Sequence, residues 1–363
     1  YQVDPLLGGN AAFLRLLDEA HQRGLKVVLD GVFNHASRGF FFFNDILENG
    51  AASPYVDWFT VHGYPLTAYA EERPANYAAW WGLHALPQLN TFNPQVREYL
   101  MQVAEYWLRQ GIDGWRLDVP QEINAPGFWE EFRTRVKAIN HNAYIVGEIW
   151  QEATPYLHGD RFDGVMNYRY RNCLLDYCVY DHMDAEDFRF ETDALFAEPY
   201  AEWQLNLLGS HDTPRLLTLC KGDARRAMLA IFGLFVAPGA PMLYYGDEIG
   251  MLGENDPGCR AGMIWDRRQW NQEIHNHCRR MIALRHQLPA LRRGSWEPLL
   301  TFNGVLAVRR RHAEGDLLII MNPRNAQTDF AIPLPCGDGV WRDQIGGTLY
   351  QASDGVLTID RIP

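Results

Sequence analysis

Two carboxylates in this sequence sit where a carboxylate is costly. Asp118 lies in Gly114-Trp115-Arg116-Leu117-Asp118, and Glu148 in Ile145-Val146-Gly147-Glu148-Ile149-Trp150, both within apolar runs. An unpaired charge in such surroundings is expensive. Arg116 stands two residues before Asp118, so on a strand both side chains project to one face. The guanidinium would keep that carboxylate charged and aimed, as a nucleophile requires, although structural ion pairs use the same spacing. Desolvation would raise the Glu148 pKa toward neutrality and let it donate a proton. A buried glutamate held by a distant arginine is the structural alternative. Trp150, two residues beyond Glu148, can face the same cavity and stack on a sugar ring.

Two other places gather polar side chains: Asp30-Gly31-Val32-Phe33-Asn34-His35 and Gly209-Ser210-His211-Asp212-Thr213. Each could bind substrate hydroxyls, and each could equally cap a turn or helix. No Ser or Cys lies in an elbow or triad context, which leaves a peptidase or esterase reading little support.

These residues fall at the ends of a recurring pattern. A short apolar run, Val27–Phe33, follows a stretch with Phe13, Leu14, Leu17 and Ala20 at helical spacing. A helix is expected over Pro94–Gln110, with Pro at its start and Gly111 after its end. The strand Gly114–Val119, a helix over Pro126–Ile139 and the strand Ala143–Trp150 come next. Strands at Asp163–Tyr168, Gln204–Ser210 and Pro241–Tyr245 and helices at Asp223–Val236 and Ile274–Leu288 continue the alternation. Such alternation implies a parallel sheet with right-handed crossovers. No glycine-rich phosphate turn follows any strand, and strand after strand ends in polar residues, as in a (β/α)8 TIM barrel. After about Pro289 the pattern becomes period-two, so residues 1–289 read as a barrel and 290–363 as a small antiparallel β-sandwich domain. The segment of about 36–93 reads as a long functional loop inserted in the barrel.

Carboxylates at the ends of different barrel strands can meet at short range. Glycoside hydrolysis uses two such groups, one ionised and one protonated, and retaining enzymes hold them about 5–5.5 Å apart. Composition agrees with a neutral substrate. A net charge of -12 argues against nucleic acid or a membrane surface as partner, since both need clustered Lys and Arg. No apolar run approaches the ~20 residues that span a bilayer. The six cysteines are scattered and read as reduced, buried thiols of a cytoplasmic enzyme. No spacing suggests a metal site or cofactor.

The four segments, in this order, resemble the signature regions of the α-amylase family (glycoside hydrolase family 13). Leu86-Pro87-Gln88-Leu89-Asn90 is similar to a segment that marks the neopullulanase, cyclomaltodextrinase and maltogenic amylase group. The resemblance implies that Asp118 is the nucleophile, Glu148 the general acid/base and Asp212 the transition-state stabiliser. It places Arg116, His35 and His211 around the cleaved sugar, and Trp150 and Glu122 on the leaving-group side. Asp256 and Arg260 resemble a loop that holds the sugar on the non-reducing side. The implied substrates are cyclodextrins, pullulan or maltodextrins, and the group is often dimeric. Two alternatives stay open: a transferase or isomerase of the same family, and a non-catalytic binding subunit. Many α-amylases bind a structural calcium, but here Glu122 replaces a histidine whose carbonyl is a ligand, and Asn34 is a lone matching ligand; calcium needs six to eight oxygens. Tyr1–Gly9 resembles the loop after the family's second strand, so a barrel lacking its first two strands is expected, with the last strand of the β-domain also cut short.

Overall fold

The computed structural model describes every residue except Glu71, Asn325, Ala326, Cys336 and Pro363, and of Gln327 only the backbone. It separates into two compact units, Tyr1–Val165 and Met166–Pro363.

The first unit is built on four parallel strands, β1 (Val28–Gly31), β2 (Gly114–Leu117), β3 (Tyr144–Gly147) and β4 (Gly164–Val165), in that spatial order. The helices are α1 (Gly9–Gln22), α2 (Phe41–Asn49), α3 (Pro94–Gln110) and α4 (Phe128–Ile139). Helix α3 has the bounds that its sequence predicts. Asn93 caps it by accepting from the Gln95 N–H, Pro94 opens it, and Gly111 ends it in the left-handed region. Its buried face carries Val96, Leu100, Met101, Ala104, Trp107 and Leu108. Helix α4 buries Phe128, Trp129, Phe132 and Val136. The expected inserted loop is not structureless: it contains α2, with Phe43 and Ile46 in the core. The Phe-Phe-Phe run at 41–43 carried no periodicity from which that helix could be read.

The second unit begins with the short parallel pair β5 (Leu205–Asn206) and β6 (Ala240–Pro241). Its helices are α5 (Tyr168–Leu175), α6 (Ala185–Phe196), α7 (Leu216–Leu219), α8 (Ala224–Val236), α9 (Gln272–Gln287) and α10 (Pro289–Arg293). The strand expected at 163–168 stops early because the Asn167 carboxamide caps α5, accepting from the Tyr170 N–H at 3.0 Å. Helix α5 continues into a π-helical turn, Asp176–Tyr180, whose Tyr177 hydroxyl donates to the carbonyls of Gly304 and Met321. Antiparallel strands follow. Strands β7 (Glu297–Phe302), β8 (Val305–Arg310) and β9 (Leu317–Met321) form one sheet. Strands β10 (Gln327–Pro333), β11 (Gly339–Arg342), β12 (Leu349–Ser353) and β13 (Val356–Ile362) form the other, in the order β10-β13-β12-β11. Val305 and Ala307 of one sheet share a core with Phe330, Ile332, Ala352, Leu357 and Ile359 of the other, the sandwich expected from the period-two pattern. Among the described residues no helix is long and apolar enough to cross a membrane.

The segments that follow β5 and β6 hold a buried arginine and a buried carboxyl side by side. Arg215 is fully buried, its Nη1 bonded to the Tyr245 carbonyl and 3.6 Å from Asp247 Oδ1. Its guanidinium also sits 4.8 Å from the ring centres of both Tyr244 and Tyr245. Burial outweighs the attraction of Arg215 and pushes the Asp247 carboxyl up to about 7.

Two stability predictions arise. A Cβ on Gly114 would lie 2.2 Å from the Tyr144 carbonyl oxygen, which belongs to β3 backbone and cannot rotate aside. Gly114→Ala should therefore cost about 2–3 kcal/mol or more in urea unfolding; a midpoint equal to wild type would contradict that packing. For Asp247 the folded pKa exceeds the unfolded one, so the folded state holds a proton between about pH 4 and 7 that the unfolded chain releases. Its contribution to stability thus falls as pH rises through that window. Asp247→Asn should be less damaging at pH 7.5 than at pH 5, and an equal deficit at both would contradict a protonated Asp247.

Candidate active site

The C-terminal ends of β1, β2 and β3 bring three carboxylates to one guanidinium. The parallel register sets Asp30 beside Arg116, and Gly31, Leu117 and Gly147 in one row. Backbone bonds carry that ladder one step further, from Asp118 N to Gly31 O and from Glu148 N to Leu117 O. Asp118 and Glu148 are therefore neighbours across adjacent strands, which lie about 4.8 Å apart. Arg116 Nη1 donates to Asp30 Oδ1 and to Asp118 Oδ1, both at 2.8 Å, and its Nη2 lies 2.9 Å from Glu148 Oε2. The last contact is an ion pair without the alignment of a hydrogen bond. The pairing read from the i, i+2 spacing is present, and Glu148, for which no local partner was legible, shares the same arginine.

Local backbone sharpens the arrangement. Val119, a β-branched residue, has φ 35°, in the left-handed region. That turn points its N–H toward Glu148 Oε2, at 3.4 Å, while Trp150 Nε1 donates to Oε1 at 3.2 Å. Strain of this kind persists where surrounding structure fixes it, and it gathers at functional sites. Glu148 is 3% exposed. Burial raises its pKa, Asp118 adds to the rise, and Arg116 opposes it. Arg116 is driven the other way, since its carboxylates outweigh its desolvation and hold the guanidinium charged.

His35 is buried beside this cluster, and burial lowers its pKa against the pull of Asp118. It sits in an isolated bridge with Gln88, so the segment that narrowed the family resemblance runs alongside it. Gln88 Nε2 donates to Asn34 Oδ1 at 3.0 Å. That oxygen accepts from an amide, and Glu122 stands where other α-amylases have the histidine whose carbonyl is a calcium ligand. Among the described residues no three His, Cys, Asp or Glu side chains converge as metal ligands. Glu122 follows Val119 in a 3-10 turn, Pro120–Glu122. Five cysteines (Cys173, Cys178, Cys220, Cys259 and Cys278) are free and buried, and Cys336 lies outside the described residues.

The remaining sequence-predicted residues gather in the second unit. Asp212 is gripped on both oxygens, with Oδ1 3.0 Å from Arg260 Nη2 and Oδ2 3.0 Å from His211 Nε2. Arg260 Nε also donates to the His211 carbonyl, at 3.1 Å, and lies 3.3 Å from Asp256 Oδ1. The Cys259 thiol donates to the same carbonyl at 3.1 Å. The loop bearing Arg260 is pinned by two phenols, Tyr244 to the Cys259 carbonyl and Tyr245 to the Ala261 carbonyl. Sequence reasoning singled out the Asp30–His35 segment but gave Asp30 no part beside Arg116, and it assigned nothing to Cys259 or the tyrosine pair.

Comparison with known proteins identifies the family. The model of the α-amylase catalytic domain matches residues 1–296. The chain is 43% identical over 343 residues to a cyclomaltodextrinase of Geobacillus thermopakistaniensis, spanning 92% of this chain and 57% of that protein. It is 40% identical over 368 residues to neopullulanase 2 of Thermoactinomyces vulgaris, spanning 99% of this chain and 62% of that one. A crystal structure of a Thermus thermophilus protein superposes with a TM-score of 0.94 at 44% identity, covering all of this chain and 80% of that one. The chain thus spans about three fifths of the length of these curated relatives, and its fold is the (β/α) barrel of the α-amylase catalytic domain followed by an antiparallel β-domain. It belongs to the α-amylase family, in the group of the cyclomaltodextrinases and neopullulanases.

Proposed function

We propose that this chain carries the catalytic machinery of a retaining α-glucan hydrolase acting on cyclodextrins, pullulan or maltodextrins. The observation that carries the reading is the single guanidinium shared by Asp118 and Glu148 on adjacent strands. Adjacent strands lie about 4.8 Å apart and so keep the two side chains close, and retaining enzymes hold their carboxyl groups about 5–5.5 Å apart so that one attacks the anomeric carbon directly. Asp118, neutralised and aimed by Arg116, forms the bond to that carbon. The glycosidic bond breaks as Glu148 gives its proton to the departing oxygen. Glu148, now a carboxylate, takes a proton from water as the water attacks, which releases the sugar and restores the acid.

The other roles follow the family resemblance. Asp212, held by Arg260 and His211, binds hydroxyls of the sugar at the cleavage point. His35 contacts the same sugar, Asp256 and Arg260 hold its non-reducing neighbour, and Trp150 and Glu122 border the leaving group. The cleaved linkage is α-1,4, with α-1,6 as the second linkage to assay. No step requires a cofactor, because proton donor and nucleophile are both side chains. A homodimer of the longer protein and a cytoplasmic setting belong to the same proposal; the buried free thiols support the latter.

The test is a pH profile combined with one substitution. Because burial raises the Glu148 pKa, its protonated form persists above the usual glutamate range, and the rate should fall as pH rises through that value. A rate on maltohexaose flat from about pH 4 to 9 would remove Glu148 from the role of acid. Asp118→Asn should abolish turnover by on the order of 10⁴-fold or more while maltohexaose still binds. Turnover near wild type would reassign the nucleophile.

A further inference from the structure

Asp212 is gripped by a residue 48 positions further along the chain, so the grip is only as firm as the join between two loops. The first loop carries Asp212 and is braced internally. The Ser210 N–H donates to Thr213 Oγ1 at 3.0 Å, and the Asp212 N–H to Ser210 Oγ at 3.2 Å. The second loop, residues 253–261, carries Arg260, whose side chain is 46% exposed. Holding so open a guanidinium in one geometry costs conformational entropy, and the cost falls when its backbone is fixed beforehand.

Arg215 makes the join. It lies three residues after Asp212, and its backbone N–H donates at 2.9 Å to Gly253 O, at the head of the second loop. Its buried guanidinium bonds the Tyr245 carbonyl at 2.6 Å and packs against both tyrosine rings. The phenols donate onward, Tyr244 to the Cys259 carbonyl at 3.2 Å and Tyr245 to the Ala261 carbonyl at 2.8 Å. Those two residues flank Arg260, so its backbone is clamped on both sides. A ring of contacts thus closes from Asp212 through Arg215 and the tyrosines to Arg260 and back. Its centre is tightly filled: a Cβ on Gly246 would lie 2.9 Å from Arg215 Nη1, and one on Gly209 2.5 Å from Asp247 Oδ2. Two hydrogen bonds from partly exposed phenols add little to global stability, but they fix where Arg260 stands.

We propose that Tyr244 and Tyr245, seated on Arg215, are positioning residues for the reaction, holding Arg260 where it orients Asp212 toward the sugar at the cleavage point. They act through Arg260 and not on the reacting atoms. Small misplacements of a group that must meet the transition state lower the rate more than they weaken binding. The inference rests on the hydrolase reading given above.

The experiment compares the double variant Tyr244→Phe, Tyr245→Phe with wild type on maltohexaose and on p-nitrophenyl α-glucoside, which carries one glucosyl unit. Both phenol oxygens are removed while the rings stay on Arg215. The rate constant kcat should fall about 10- to 100-fold on both substrates, with KM within about threefold. In an Arg260→Ala background the same two substitutions should cost less than about twofold, because the residue they act through is gone. A loss confined to maltohexaose would assign the loop to the neighbouring sugar alone and overturn the proposal. So would an unchanged kcat, or full additivity with Arg260→Ala. If wild type turned over neither substrate, the hydrolase reading would fail, and the Cys259 thiol would then decide the anchoring. That thiol is fully buried and donates to the His211 carbonyl. Iodoacetamide should alkylate it at least about tenfold faster in the double variant, as read by peptide mass spectrometry. An equal rate would reject the anchoring whatever the catalytic result.

Discussion

One guanidinium faces three carboxylates at the end of the first sheet, and that imbalance sets the chemistry of the site. Arg116 compensates Asp30, Asp118 and Glu148 together, with side-chain exposures of 49%, 19% and 4%. Water serves Asp30, the outermost, and Asp118 has the shared Nη1 at 2.8 Å. The shortfall falls on Glu148, the most desolvated, where holding a proton costs least. A second arginine here would compensate the negative charge and oppose the rise of the Glu148 pKa. The same count explains why Arg116 is tolerated in an apolar strand, since a buried guanidinium stripped of partners would cost about 3–5 kcal/mol.

The strands supply the other half of the constraint. Register between β2 and β3 places the residues after Leu117 and Gly147 side by side, and a one-residue slip would turn one of them to the opposite face. Gly114, where any side chain would strike Tyr144 O, helps to fix that register by letting the two strands approach. Beyond the ladder, the left turn at Val119 aims a donor back at Glu148. The nearness of Asp118 and Glu148 is therefore a property of backbone pairing more than of the side chains themselves.

Much of this could be read from sequence, for reasons that differ by element. Helix α3 was legible because its start, end and buried face are all written locally, in Asn93, Pro94, Gly111 and the spacing of its apolar residues. The Arg116 and Asp118 pairing was legible because strand periodicity is two. Glu148 could be singled out by its apolar neighbours, but its partner could not, because Arg116 reaches it across a sheet. The strands at 163–168 and 204–210 proved far shorter than their apolar runs, the first because Asn167 turns to cap α5. The helix inside segment 36–93 depends on tertiary packing and left no periodic trace.

The second unit applies the same electrostatic logic with the opposite ratio. Around Asp212, two potential cations serve one carboxylate, with His211 on one oxygen and Arg260 on the other. Asp256 returns some negative charge to Arg260 but is 59% exposed on its side chain and largely left to water. A carboxylate held on both oxygens in this way is oriented to accept hydrogen bonds from sugar hydroxyls, as the stabiliser proposed here must be. Its geometry depends on Arg260, whose loop is fixed by the Tyr244 and Tyr245 hydroxyls and by the Cys259 thiol. Those tyrosines lie in turn against Arg215, the buried guanidinium whose partner Asp247 is pushed up to about 7. In the proposed mechanism the carboxylates thus differ in how many cations reach them. In both units those cations are positioned by residues that a reading of local sequence had no means to connect.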